Sequence, residues 1–187
     1  MAQTEQKNQN VKKQFEELQS LLERAMALQT SMVLFEWDDE TLAPKGAAEH
    51  TARVIGSLSE QYQEILASMR FKELLDVCLK AEKENAGVFD EVQSAILREA
   101  AEEQERLSCI PPEEYRAYAE LTACATGIWT RAREKNDFAS FAPVLKEIIS
   151  YQKKFAAYRA KPGQKLYDVM LDTYEKGFNM EMLDPFF

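Results

Sequence analysis

Between Val11 and Met32 the apolar side chains Val11, Phe15, Leu18, Leu22, Ala25 and Met32 recur at steps of three, four and seven residues. An α-helix brings those intervals onto one face, and a strand does not. The stripe therefore predicts a single helix over about residues 6–37, a rod roughly 45–50 Å long at the α-helical rise. The first ten residues are polar and are expected to fray. The stripe widens through Val33 and Phe35, which makes the Trp37 end the expected buried end. Whatever else the chain forms has to lie along this rod.

The remaining segments have the same period. Pro44 and Gly46 interrupt it, and a second helix follows over about 47–69, with Val54, Ile55, Leu58, Tyr62, Ile65 and Leu66 facing inward. The short connection makes an antiparallel hairpin. A third helix over about 72–83 ends at Asn85-Ala86-Gly87. A fourth, over about 88–107, carries Arg98, Glu99, Glu102, Glu103, Glu105 and Arg106, which read as a solvated face. After Ile110-Pro111, Pro112 fits the first turn of a fifth helix running to about residue 135. Its broad aromatic stripe suggests a central position. Ser140 and Pro143 suggest the cap and first turn of a sixth helix, and a short helix containing Leu166–Leu171 comes next. Six Gly and six Pro in 187 residues supply little turn material for an all-β fold. The expected class is all-α, a bundle of about six to seven helices in antiparallel hairpins. With no repeat or flexible linker, residues 1–187 read as one domain.

Charge and composition narrow the function. Thirty-two acids against 23 bases give a net charge of -9, which argues against a nucleic-acid partner. No apolar run reaches the roughly 18 residues of a spanning helix, and the polar start does not resemble a signal peptide. The expectation is a cytoplasmic protein with no membrane partner. Cys78, Cys109 and Cys124 lie far apart with no Cys-x-x-Cys pair, and read as reduced thiols. A helical zinc hydrolase site needs two histidines one turn apart. His50 is the single histidine. No catalytic residue and no metal ligand are assigned to this chain.

Trp37 stands among Glu36, Asp38, Asp39 and Glu40. This cluster reads either as a packed, capped helix corner or as the edge of a cleft that meets a ligand.

Two stretches carry a resemblance. Trp37-Asp38-Asp39-Glu40-Thr41-Leu42-Ala43-Pro44 resembles the Trp-Asp-x-x-Thr-x-x-Pro signature of the carboxypeptidase Taq family of zinc metallocarboxypeptidases. Asp137-Phe138-Ala139-Ser140-Phe141-Ala142-Pro143, followed by Tyr167-Asp168-Val169-Met170-Leu171-Asp172-Thr173-Tyr174-Glu175-Lys176-Gly177, resembles that family's second signature. The resemblance implies the amino-terminal part of a larger helical enzyme, often dimeric, that removes carboxyl-terminal residues from peptides using a divalent metal, zinc or cobalt. The family's His-Glu-x-x-His helix has no counterpart here, so a chain without turnover of its own is expected, with a peptide substrate bound only in the full-length enzyme. Under this reading Trp37, Asp38, Thr41 and Arg53 form one candidate stretch of groove wall, and Tyr167, Asp168, Tyr174 and Glu175 a second. The exposed terminal phenylalanines expected at Phe186 and Phe187 suggest a homo-oligomer. The competing reading is a stand-alone helical interaction or regulatory module.

Overall fold

In a computed structural model the chain is described over residues 2–44, 46–85 and 87–187. Met1, Lys45, Ala86 and the side chains of residues 2–5 and 7 lie outside that description, and with them part of the stretch expected to fray and part of the third helix's expected stop. The described residues form helices joined by turns and short loops, with no strand among them. The order is α1 (Ala2–Thr41), α2 (Ala48–Ala67), α3 (Met69–Glu84), α4 (Glu91–Ser108), α5 (Pro112–Glu134), α6 (Phe138–Arg159), α7 (Leu166–Tyr174) and α8 (Met180–Leu183), closed by a 3₁₀ turn at Asp184–Phe186.

α1 lies against α2 and α3, α2 against α4 and α5, and α5 against α6, which in turn carries α7. One core gathers Phe15 and Leu18 of α1, Tyr62 and Leu66 of α2, Phe71, Leu74 and Cys78 of α3, and Leu97 and Leu107 of α4. The Phe15 and Phe89 rings meet at 5.1 Å, so the loop before α4 helps seal it. Burial pushes the Cys78 thiol up to about 11. A second cluster, Tyr118, Tyr151 and Phe155, joins α5 to α6 with ring centroids 5.3–5.8 Å apart.

The polarity of α1 is the reverse of the expectation. Val11, Phe15, Leu18 and Ala25 are buried, while Val33, Leu34, Phe35, Trp37 and Leu42 are exposed. The physical reason is the number of neighbours. The first half of α1 packs into the core and meets α3 through Glu17 and Arg70, whereas near Met32 the observed contact is with α2, at Ser59. One neighbouring helix can cover only one flank of a widened stripe. Helix boundaries also shift. α4 begins at Glu91 behind a capping box, Asp90 accepting from the Gln93 amide at 2.8 Å and Gln93 accepting from the Asp90 amide at 3.1 Å. Val88 and Phe89 are therefore buried loop residues. The cap of α6 is Asp137, which accepts from the Ser140 amide, so Pro143 falls inside the helix and not in its first turn. α5 does lie between α2 and α6, but its deeply buried residues are the small Ala125 and Ala132, and Trp129 is exposed under the Arg133 guanidinium.

Two polar features fix how the helices meet. A Cβ at Gly56 would lie 2.2 Å from Glu120 Cγ, so glycine permits the close approach of α2 and α5 there. Arg116 of α5 then pairs with Glu60 of α2 at 3.0 Å and with Glu120 at 2.9 Å. Gln63 of α2, 0% exposed, donates its amide to the Leu107 carbonyl at 3.1 Å and to the Ile110 carbonyl. It thereby satisfies the carboxyl end of α4 and the turn into α5 from inside the core, where unpaired carbonyls are costly.

Two tests follow from this packing. Gln63→Ala removes both bonds and leaves a cavity, and is expected to destabilise the chain by about 2–4 kcal/mol in urea unfolding followed by far-UV ellipticity. The Cys78 thiol is protonated more strongly in the folded chain than its ordinary 9.0. Its contribution to stability is thus full below that value and lost as pH rises toward about 11. A maleimide at pH 8 is expected to label Cys78 only after denaturant is added.

Candidate functional site

A groove of about 1440 Å³ runs between α1, α4 and the α6–α7 corner. Its apolar side is supplied by Leu22 and Met26 of α1 with Val92 and Ile96 of α4, and its far side by Tyr158, Arg159, Thr173 and Tyr174. The rim is acidic, with Glu23, Glu99, Glu102, Glu105 and Asp172, and Lys176 bridges across it to Glu102. The charged run of α4, expected as a solvated face, thus forms one wall of this groove. Polar residues arise there because α4 turns its apolar face to the core, which leaves its opposite face to line whatever opens beside it.

The groove's best-determined polar group is Glu103. It accepts from the Tyr62 hydroxyl at 3.0 Å and pairs with Arg106 one turn along α4. Burial, and then the Glu103 carboxylate, raise the Tyr62 pKa, so the phenol stays a donor at neutral pH. Arg159, in the last turn of α6, is placed differently. Burial first, and then the neighbouring Arg106, lower its pKa from the ordinary guanidinium value. Its contact with Thr173 Oγ1 is long, at 3.5 Å, and its buried Nε has no partner. Above it, Glu114 of α5 accepts from Lys154 at 2.6 Å and from the Tyr158 hydroxyl at 3.2 Å, tying the α6 end to α5.

The residues singled out from sequence lie mainly elsewhere. Trp37 is 57% exposed at the end of α1, and its carbonyl accepts from Thr41 Oγ1 at 2.6 Å. Asp38 is exposed, and its carbonyl closes the α1 terminus by accepting from the Leu42 and Ala43 amides. Arg53 is exposed and pairs with Glu49 at 2.9 Å, one turn back along α2. Tyr167 is exposed, Asp168 accepts from the Met180 amide at 2.9 Å, and Glu175 is exposed just beyond α7. Tyr174 alone of the eight lines the groove, at 81% exposure. The tyrosine–acid pairs of the structure are instead Tyr62 with Glu103 and Tyr158 with Glu114. Sequence reasoning missed Tyr62, Glu103 and Arg159. The Glu103–Arg106 spacing was a usable signal for a local pair, but nothing local marks Arg159 as unpaired.

The metal implied by the family resemblance finds no fitting donor set here. Among the described residues no group of three or more His, Cys, Asp or Glu is arranged to hold a metal ion. His50 is exposed on α2, and its neighbour Glu49 is engaged by Arg53. No step is assigned to a metal on these residues. No helix among the described residues is long and apolar enough to cross a membrane.

The Tyr62–Glu103 bond can be measured directly. In a double-mutant cycle of Tyr62→Phe and Glu103→Ala, a coupling of about 1 kcal/mol is expected from chemical denaturation, because either single change removes the bond, leaving Tyr62 unpaired or Glu103 with Arg106 alone.

Comparison with known proteins agrees with this architecture. Residues 17–187 match the family described as carboxypeptidase Taq (M32) metallopeptidase. Carboxypeptidase 1 of Bacillus subtilis is 34% identical over 167 residues, covering 89% of this chain and 32% of its own length. Thermostable carboxypeptidase 1 of Pyrococcus furiosus is 30% identical over 164 residues, covering 88% of this chain and 32% of its own length. Among solved structures, the BsuCP crystal structure superposes with a TM-score of 0.86 at 32% identity, over 93% of this chain and 34% of that one. Trypanosoma cruzi metallocarboxypeptidase 1 superposes at 0.71 with 26% identity, over 92% and 34%. The chain spans about a third of the length of the curated relatives it matches. With that match across most of its residues, and an all-helical fold shared with the family's solved structures, the chain belongs to the carboxypeptidase Taq (M32) metallopeptidase family.

Proposed function

We propose that this chain supplies the amino-terminal helical part of a metal-dependent carboxypeptidase and one wall of its peptide groove, while the metal site comes from sequence that this chain does not contain. The observation that carries the reading is the groove between α1, α4 and the α6–α7 corner, in a chain whose relatives are carboxypeptidases. An apolar side, an acidic rim and a few polar groups at depth suit an extended peptide, which needs both burial and hydrogen bonding. Of the eight proposed wall residues Tyr174 lines this groove; Trp37, Asp38, Thr41 and Arg53, with Tyr167, Asp168 and Glu175, are proposed as wall that is completed only where the rest of such an enzyme approaches. The exposed Val33, Leu34, Phe35 and Leu42 beside Trp37 support an approach there, since a contiguous apolar surface usually meets another surface. Zinc or cobalt would be the metal of the full-length enzyme, the peptide its substrate, the cytoplasm its location, and a homodimer its assembly. The same exposed surface favours a second reading, a stand-alone module that binds a partner helix.

The test is a peptidase assay with a blocked dipeptide and added zinc or cobalt. The chain alone is expected to release nothing. Mixed with the separately produced remainder of a family member, it is expected to restore metal-dependent release of the terminal residue. Metal-dependent release by the chain alone, from a preparation free of contaminating peptidase, would overturn the division of labour. Failure to complement, together with tight binding of the intact relative, would favour the module.

A further inference from the structure

Beneath the α6–α7 corner, next to the large groove, lies a smaller cavity of about 180 Å³. Arg106, Arg159, Thr173 and Tyr174 border both spaces. Its other walls are Tyr115, Tyr118, Phe155 and Gln152, with Leu107 and Met170. The hydrogen-bonding inventory of this cavity is one-sided. The Arg159 guanidinium carries five donors, and its one contact among the described residues is the long one to Thr173. Among the described residues no carboxylate hydrogen-bonds to it; Glu103, whose charge acts on it from nearby, is held by Tyr62 and Arg106. The Tyr118 oxygen accepts from the Gln152 amide, which leaves its hydroxyl proton free to donate. The Tyr115 hydroxyl has no hydrogen-bond partner among the described residues, and burial raises the pKa of both phenols, so both are protonated donors at neutral pH.

A partly buried cation beside two phenolic donors, with no carboxylate in hydrogen-bonding contact, is a costly arrangement for a protein to hold by itself. An anion with several acceptor oxygens removes the cost. We propose that this cavity is a binding site for a small carboxylate, held by the Arg159 guanidinium and the Tyr115 and Tyr118 hydroxyls. The class follows from shape and chemistry. A guanidinium presents two parallel N–H donors that match the two oxygens of a planar carboxylate. The volume equals about six waters' share of the liquid, room for a carboxylate with a short apolar tail. The Phe155 and Tyr118 rings supply the surface such a tail would meet. This inference does not depend on the groove-wall reading, since no metal or catalytic group enters it.

The test titrates the chain with acetate and benzoate by isothermal calorimetry, with inorganic phosphate as the comparison anion at matched ionic strength. Saturable millimolar binding of a carboxylate is expected, with phosphate at least about tenfold weaker than benzoate because phosphate has no apolar part to set against the Phe155 and Tyr118 rings. Arg159→Met is expected to abolish binding while leaving the fold as stable or more so, since it removes an unpaired cation. A purely structural role for Arg159 would lower stability instead. Arg159→Lys, which keeps the charge without the fork, is expected to bind about tenfold more weakly, and it carries the test if the Met variant does not fold. No saturable binding, equal binding of phosphate, or unchanged affinity in either Arg159 variant would overturn the proposal. A second arm separates the source. A blocked, amidated peptide with one internal Glu competes with acetate if the carboxylate is peptide-borne, and its Gln counterpart does not. If neither competes, the ligand is a free small acid.

Discussion

A single buried amide holds the bundle's two halves in register. Gln63 projects from α2 through the core and donates to carbonyls on both sides of the α4–α5 turn. The end of a helix leaves carbonyls that water normally satisfies, and water is excluded here. The amide N–H groups replace that water, so α4 can end inside the protein and α5 can leave at Pro112 with these carbonyls paired, while the amide's own Oε1 stays buried and unpartnered. The angle between α4 and α5 then sets where α6 lies, and α6 sets where Arg159 and α7 reach. The groove, lined in part by Ser108 and Cys109 of this corner, is therefore a consequence of it.

The chemistry of the groove follows from the same geometry. α4 gives its apolar face to the core, and its acids are left to form a rim, where opposite charges across the opening, Lys176 and Glu102, are available to pair. Deeper in, donors and acceptors do not balance. Glu103 has two donors, whereas Arg159 has no hydrogen-bonded acid among the described residues and feels Glu103 only through space. A protein that needed only stability would be better served by an apolar residue at Arg159.

Much of this could be read from the chain, and the losses have physical causes. The period of the apolar residues is a local property, so the helices and their order were legible, as was Pro112 at the start of α5. Helix caps were half legible. The Asp90 to Gln93 spacing is a capping signal, and attention to Val88 and Phe89 as helix residues obscured it. The burial of α1 was not legible, because a stripe says which face is apolar and not how many neighbours will cover it. Trp37 was misplaced for that reason. The groove depends on side chains from α1, α4, α6 and α7 meeting in space, and no spacing in the sequence marks Tyr62 and Glu103, forty-one positions apart, as partners. The family signatures, in contrast, need no tertiary knowledge, and they located the chain correctly.

Both indoles stand outside the core, Trp37 at the end of α1 and Trp129 beside Arg133. The consequence is optical. A tryptophan already in water emits at nearly the same wavelength whether the chain is folded or not, so intrinsic fluorescence is a poor witness to unfolding in this protein. The same placement makes the two indoles good witnesses to contact. Anything that covers the end of α1 or the Trp129 face of α5 moves a ring out of water, and each indole is a built-in dye for its own surface.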